Sequence, residues 1–531
     1  MTNQYAKTAV FCAGVVAVAG SFGLSSAVAA DVGSIMTRTC GTCHTESSPG
    51  AGDFSRMNGM RKTPEGWQMT INRMQSLRGL HLSADEKQAV IKHLADTRGL
   101  APAETVGSRY LLEQDTNLVE NTPEAYTQMC ARCHSSARVA LQRRSEEEWK
   151  WLVHFHMGQH PTLEFHSMAR DRPWFELALN DTAVQLGKDY PLASAEWTAW
   201  QAAAKPALNG EWRLLGYVPG KGEFDARMTV TPTGLDAFAV TVAGRYADGS
   251  PLSGDGSATV YTGFEWRAAL DLDGVKMRQV LAATPEGGEM HGRMFRRDDK
   301  ALGGVLRALR PAAEAQVLAV MPSHLKTGVE QALTIVGENL AGDVSLGKGV
   351  EVVSVVSRDA ERVRVLARAK GGDGVRDVRV GGAAGKGLLA VYDQVARVDV
   401  LPADAVARIG GGGGAMEKVG VAYRARAYAA GPDGKPGTDD DVALGYMPTA
   451  WSIVPADPIA EEDRDHAFAG SIDADGIFTP GDAGPNPKRR MNANNVGRLA
   501  VVATVNDGGT PVEGRGALLV SVPDFVINAL D

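Results

Sequence analysis

The chain has 531 residues, too many for one hydrophobic core, so about three to five domains are expected. Its formal net charge is -8, with no long block of like charge, which argues against nucleic-acid binding and points to proteins and small molecules as partners. Only five cysteines are present.

Residues 1–30 read as a secretory signal. Lys7 is the only charge before an apolar run over residues 9–24, and Ala27-Val28-Ala29-Ala30 offers small residues for cleavage before Asp31. The run is short and contains Gly and Ser, which disfavours a membrane anchor. Cleavage would remove Cys12 and deliver the mature chain to the periplasm.

Residues 31 to about 205 read as helical, in two subdomains, 31–104 and 105–207. Each carries one C-x-x-C-H motif, Cys40-Gly-Thr-Cys43-His44 and Cys130-Ala-Arg-Cys133-His134. This is the attachment signal for c-type haem: two thioethers to the vinyl groups and a neighbouring histidine for the iron. A redox C-x-x-C needs a thioredoxin-like context that neither motif has, and adjacent Cys and His crowd a tetrahedral zinc site. The pair of motifs therefore predicts two covalently bound haem c groups, with His44 and His134 as proximal ligands. All four remaining cysteines are used by them.

The second ligands are less direct. Eight of the eleven histidines and eight of the seventeen methionines fall in this half, and both types ligate haem. Residues 61–75 and 143–157 form an internal repeat that aligns Arg61 with Arg143, Thr63 with Ser145, Trp67 with Trp149 and Met74 with His156. Thr63 and Ser145 are expected N-caps, Ser145 with Glu148 as a capping box. A further helix over residues 83–98 has its own box, Ser83 with Glu86, and stops at Gly99. Met74 and His156 each lie seven residues after the tryptophan, hence on its helix face. They are the expected distal ligands of the first and second haem, one His/Met and one bis-His. Met57 and Met60 compete with Met74; His154, Met157 and His160 compete with His156. Trp67 and Trp149 are expected as core aromatics. Arg38, Arg61, Arg143 and Arg144 are candidate partners for haem propionates.

From residue 208 helical periodicity gives way to short alternating runs between Gly-rich turns. Residues 208–310 predict a small antiparallel β-barrel. Residues 311–393 and 394–531 predict two immunoglobulin-like sandwiches. The fold class is thus multidomain: an all-α dihaem cytochrome c domain followed by three all-β domains. The segment from Asp433 to Asp441 loosely resembles a calcium loop but lacks the alternating acids and terminal Glu of an EF-hand, and reads as a solvated hairpin tip. Nothing in the β half looks catalytic.

This layout resembles the α subunit of bacterial quinohaemoprotein amine dehydrogenase. The resemblance is carried by Cys-Ala-Arg-Cys-His at 130–134, by His156-Met157-Gly158-Gln159 with Pro161 and Glu164, by Arg170-Asp-Arg-Pro-Trp174-Phe, and by Gly210-Glu-Trp212. It implies a heterotrimer with a seven-bladed propeller β subunit and a small γ subunit bearing a tryptophan-derived quinone. There a primary amine would be oxidised to aldehyde and ammonia. This chain would pass electrons through its haems to a soluble cupredoxin or cytochrome c, and would itself hold no amine-oxidising residue. The other reading from the sequence is a free-standing periplasmic dihaem cytochrome whose β modules serve another dehydrogenase.

Overall fold

The computed structural model describes residues 32–47, 53–412, 414 and 416–523. The expected leader, with Lys7 and Cys12, lies outside them.

The first half is helical. Helix Val32–Thr39 leads into the first motif, and helices Pro64–Arg78 and Ala84–Thr97 follow it. Pro64 opens the second of these at a position where its missing N–H costs nothing, and the Thr63 hydroxyl accepts the Gly66 N–H at 3.3 Å. Gly79, at φ +69°, closes it in the left-handed region and donates its N–H to the Met74 carbonyl. Ser83 and Glu86 form the expected reciprocal capping box. Trp67, Ile71, Val90 and Leu94 pack with Phe54 and Cys40 as the first core.

The second motif lies at the end of a wide, π-type turn, Thr127–Ala131. Helix Glu146–Gln159 follows, capped by Ser145. Here the expected capping box is incomplete. The Ser145 hydroxyl accepts the Glu148 N–H, but the Glu148 carboxylate is taken by Arg56 at 2.5 Å and Arg144 at 3.6 Å. Two full charges outcompete one backbone N–H. Trp149, Val153, Trp174 and Leu186 make the second core.

A feature absent from the sequence reading joins the two subdomains. Met60–Lys62 and Gln142–Arg144 pair as a short antiparallel ladder in which Arg61 faces Arg143. The aligned positions of the repeat therefore meet across a local two-fold arrangement. Both arginines converge on Glu104, at 2.9 and 3.1 Å.

The β half opens with a closed barrel of eight antiparallel strands in sequential order, Gly210–Val218 to Gly303–Leu309, the last pairing with the first. Alternate residues fill its interior, among them Trp212, Leu214, Phe224, Met228, Trp266 and Leu270. Eight strands leave only enough room for such side chains, so the barrel is a packed core rather than a pore. The next unit builds a sheet around Glu330–Glu338 and Ala383–Tyr392, with Val317, Leu333, Ile335 and Val365 inside. The last unit packs several smaller sheets and two short helices around Val400, Tyr423, Phe478, Leu499 and Val501. Both units are built mainly of strands, and both contain parallel pairings, His324–Lys326 with Ala383–Tyr392 and Asp404–Arg408 with Thr510–Ser521.

Buried ion pairs tie the units together. Arg267 of the barrel binds Glu65 of the helical half at 2.8 Å, and Arg109 binds Glu265 at 2.7 Å. Asp225 of the barrel holds Arg362 of the third unit at 2.8 Å. Lys326 of the third unit holds Asp507 of the fourth at 2.5 Å.

Candidate functional site

Both C-x-x-C-H segments fold into the same tight turn. The Cys43 and His44 N–H groups donate to the Cys40 carbonyl at 3.1 and 2.9 Å; those of Cys133 and His134 donate to the Cys130 carbonyl at 3.1 and 3.4 Å. All four cysteines are free thiols. Cys40 is buried and Cys43 exposed, while Cys130 is half-buried and Cys133 exposed. Burial raises the Cys40 thiol and pushes Cys130 up to about 11.

The histidines are held by backbone carbonyls. His44 Nδ1 lies 3.0 Å from the Ser55 carbonyl, and His134 Nδ1 lies 2.8 Å from its neighbour Ser135's. A carbonyl only accepts, so each Nδ1 carries the proton and each Nε2 is left with its lone pair, the tautomer a metal ligand requires.

In the second subdomain the helix Glu146–Gln159 turns His156 toward His134. Their ring centroids are 6.5 Å apart, with planes inclined by 31°. Two imidazoles bound on opposite faces of one metal ion, each at about 2 Å through nitrogen, place their ring centres about 6 Å apart. His156 Nδ1 is likewise fixed, 2.7 Å from the Leu152 carbonyl one turn back. Burial pulls His156 down to about 4 and also lowers His134. Both rings are therefore neutral near pH 7. Trp174 and Phe155 flank His156 at 5.7 and 6.4 Å. The competing residues sit differently: His154 and His160 are exposed, and His154 leans on Phe175 and Trp151.

In the first subdomain Met74 is half-buried on the last turn of its helix, two turns beyond Trp67. Met60 is buried in the ladder and the first core, and Met57 packs on the same core. Trp67 and Trp149 are fully enclosed, and each indole N–H donates to a backbone carbonyl, Arg98 at 3.0 Å and Tyr190 at 3.3 Å. They are core aromatics, equivalent in the two repeats.

The arginines that the sequence offered to propionates are engaged elsewhere. Arg61 and Arg143 bind Glu104, Arg144 binds Glu148, and Arg38 pairs with Glu86 at 2.7 Å on the surface. Among the described residues, the half-buried guanidiniums of the helical half without a carboxylate partner are those of Arg73 and Arg138, which no sequence signal marked.

Far from these motifs, the Asp433–Asp441 segment turns several of its carboxylate oxygens onto its own backbone and onto Arg397, while Asp441 Oδ1 has no partner among the described residues. Asp433 accepts the Lys435 N–H, Asp440 the Asp433 N–H, and Asp441 the Gly437 N–H and Arg397. No group of three or more His, Cys, Asp or Glu poised for a bare metal ion occurs among the described residues. The donor set of the helical half, paired thiols beside a neutral imidazole, fits haem.

Comparison with known proteins agrees. The profile of the haem-binding domain of quinohemoprotein amine dehydrogenase, alpha subunit, matches residues 30–197. Those of alpha-subunit domains II, III and IV match residues 205–311, 314–393 and 398–530. Comparison with curated proteins gives no match. Among solved structures, a redesigned β-barrel covers 20% of the chain and 92% of its own length at 17% identity, with a TM-score of 0.18. Domains EC1–3 of the mouse protocadherin PcdhgC3 cover 46% and 86% at 10% identity, with a TM-score of 0.17. A SusE-like polysaccharide-binding protein of Bacteroides thetaiotaomicron covers 60% and 50% at 9% identity, with a TM-score of 0.13. These structural likenesses are too slight to carry an argument. The four successive profiles span nearly the whole sequence in order, and the chain belongs to the family of quinohemoprotein amine dehydrogenase alpha subunits.

Proposed function

We propose that this chain is the dihaem electron-transfer subunit of a periplasmic amine dehydrogenase. It moves electrons from a peptide-derived quinone on a partner subunit, where a primary amine becomes aldehyde and ammonia, to a soluble acceptor. The observation that carries this reading is the close, neutral His134–His156 pair, ring centroids 6.5 Å apart, beside a C-x-x-C-H turn. When bound, haem supplies a one-electron iron couple in each subdomain.

The chain's residues provide attachment, ligation and enclosure. Cys40 and Cys43 hold the first group, Cys130 and Cys133 the second. His44 with Met74 would ligate the first iron, and His134 with His156 the second. The Ser55, Ser135 and Leu152 carbonyls fix the imidazoles in the ligating tautomer. A thioether ligand generally raises the potential relative to a second imidazole, so the two sites differ in potential. All four thiols are committed to haem, which leaves none in the mature chain for a quinone crosslink and puts the amine-oxidising residues on a small γ subunit. A β-propeller subunit completes the heterotrimer, with the barrel and two immunoglobulin-like units as its scaffold. Residues 1–30 act as the cleaved export signal. No helix among the described residues is long and apolar enough to cross a membrane.

Haem content and optical spectra of the purified chain test this directly. The chain should hold two covalent haems, and His156→Ala should convert the second to a five-coordinate or altered spectrum while His160→Ala leaves it unchanged. The reverse pattern would overturn the ligand assignment, and a chain without covalent haem would overturn the function.

A further inference from the structure

Every buried arginine of the helical half has a carboxylate partner, but two half-buried ones have none among the described residues. Arg61 and Arg143 share Glu104, Arg109 has Glu265 and Arg144 has Glu148. The Arg73 and Arg138 side chains are half-buried, yet among the described residues neither guanidinium makes a hydrogen bond or an ion pair. Arg73 comes from the first subdomain, on helix Pro64–Arg78. Its guanidinium crosses to the second and lies 5.0 Å from the ring centroid of Phe155. Phe155 in turn meets the His156 ring edge-on at 6.4 Å. Arg138 stands on the short helix Ala137–Ala140, one turn after His134.

The two guanidinium groups also repel one another. Burial first, then the charge of Arg73, pulls Arg138 down to about 10. Buried Lys62 feels the same cluster: burial and the charges of Arg144, Arg73 and Arg138 hold it well below the usual lysine range. An uncompensated cation is among the costliest things a protein can bury. Two of them converging beside the His134–His156 pair describe a receptor for negative charge. Arginine's planar fork matches a carboxylate in two-point contact.

We propose that Arg73 and Arg138 clamp the propionate carboxylates of the second haem, with Arg73 reaching them from the first haem's subdomain. This rests on the reading of His134 and His156 as that haem's ligands. The clamp makes the second site depend on both subdomains.

The test is spectroelectrochemical titration of the intact, haem-loaded protein, after haem content has been measured. Removing a cation beside the iron disfavours the reduced state. Arg73→Gln and Arg138→Gln should each lower the midpoint potential of the bis-His haem, Arg73→Lys should restore most of the loss, and the remote surface change Arg368→Gln should leave both potentials unchanged. Two haems with unaltered potentials in both glutamine variants would overturn the clamp while leaving the electron-transfer reading intact. A chain lacking the second covalent haem would overturn both. If the glutamine variants fail to fold, a structure of the loaded wild-type protein decides. Propionates within hydrogen-bond distance of both guanidiniums support the clamp, and propionates turned away from them refute it.

Discussion

Glu104 shows how much a single residue carries here. Its carboxylate is enclosed between Arg61 and Arg143, the equivalent arginines of the two repeats, and it also accepts the Ala101 N–H at 2.8 Å. Burial alone would raise this carboxyl, but the hydrogen bonds from Arg61 and Ala101 and the two positive charges outweigh it and hold Glu104 below the ordinary range. A depressed folded-state value contributes stability that is fully present above the unfolded value, about 4.3, and is lost as pH falls through the folded one. Thermal melts across pH should therefore show the wild-type chain losing stability below about pH 4, a component that Glu104→Ala lacks. Near pH 7 that substitution strands two buried arginines and should cost about 3–5 kcal/mol. An unchanged melting temperature would show that the arginines find other partners. Nothing in the sequence marked Glu104, because it stands 43 residues from Arg61 and the link exists only in the fold. The same holds for Arg73 and Arg138. Composition reveals cations, whereas the absence of a counter-charge is a tertiary fact.

Among the elements, helices and caps were largely legible and the ladder between subdomains was not. Thr63, Ser83 and Ser145 cap as their types and spacing suggest. The spacing predicts a Ser145–Glu148 box, but Arg56, 92 residues away, claims the Glu148 side chain. Met60–Lys62 and Gln142–Arg144 are three-residue strands, too short to display an alternating pattern. Only the repeat hinted at them, since it aligned the residues that later prove to face one another. Ser83 offers a clean test at this scale, since it has a reciprocal box on an exposed helix start. Ser83→Ala should destabilise the chain by about 1 kcal/mol, read as a lowered denaturation midpoint, while Ser145→Ala forfeits only the single N–H contact and costs less. Equal losses at both sites would contradict the distinction between a full and a half box.

At the scale of the whole molecule, the change from helical to β texture and the barrel were written in the sequence as a change of hydrophobic period. The barrel closes by pairing Gly303–Leu309 with Gly210–Val218, which leaves no edge unpaired, and alternation along its strands turns apolar side chains inward. How the units lock together was not legible. Glu65, Arg267, Glu265 and Arg109 form one buried ionic junction between the helical half and the barrel. Asp225 with Arg362, and Lys326 with Asp507, continue the connection to the end of the chain. Such junctions fix orientation, because a buried ion pair tolerates little displacement before it becomes a penalty. A rigid frame of this kind suits the proposed electron-transfer role.

The most direct test of that account is mild affinity purification of the chain from its native periplasm, with intact-mass analysis of what accompanies it and haem spectra recorded on addition of a primary amine. The account predicts a propeller-sized chain, a small internally crosslinked chain, two covalent haems on this subunit and their reduction by the amine. Recovery of this chain alone, loaded with haem and inert to amines, would contradict it.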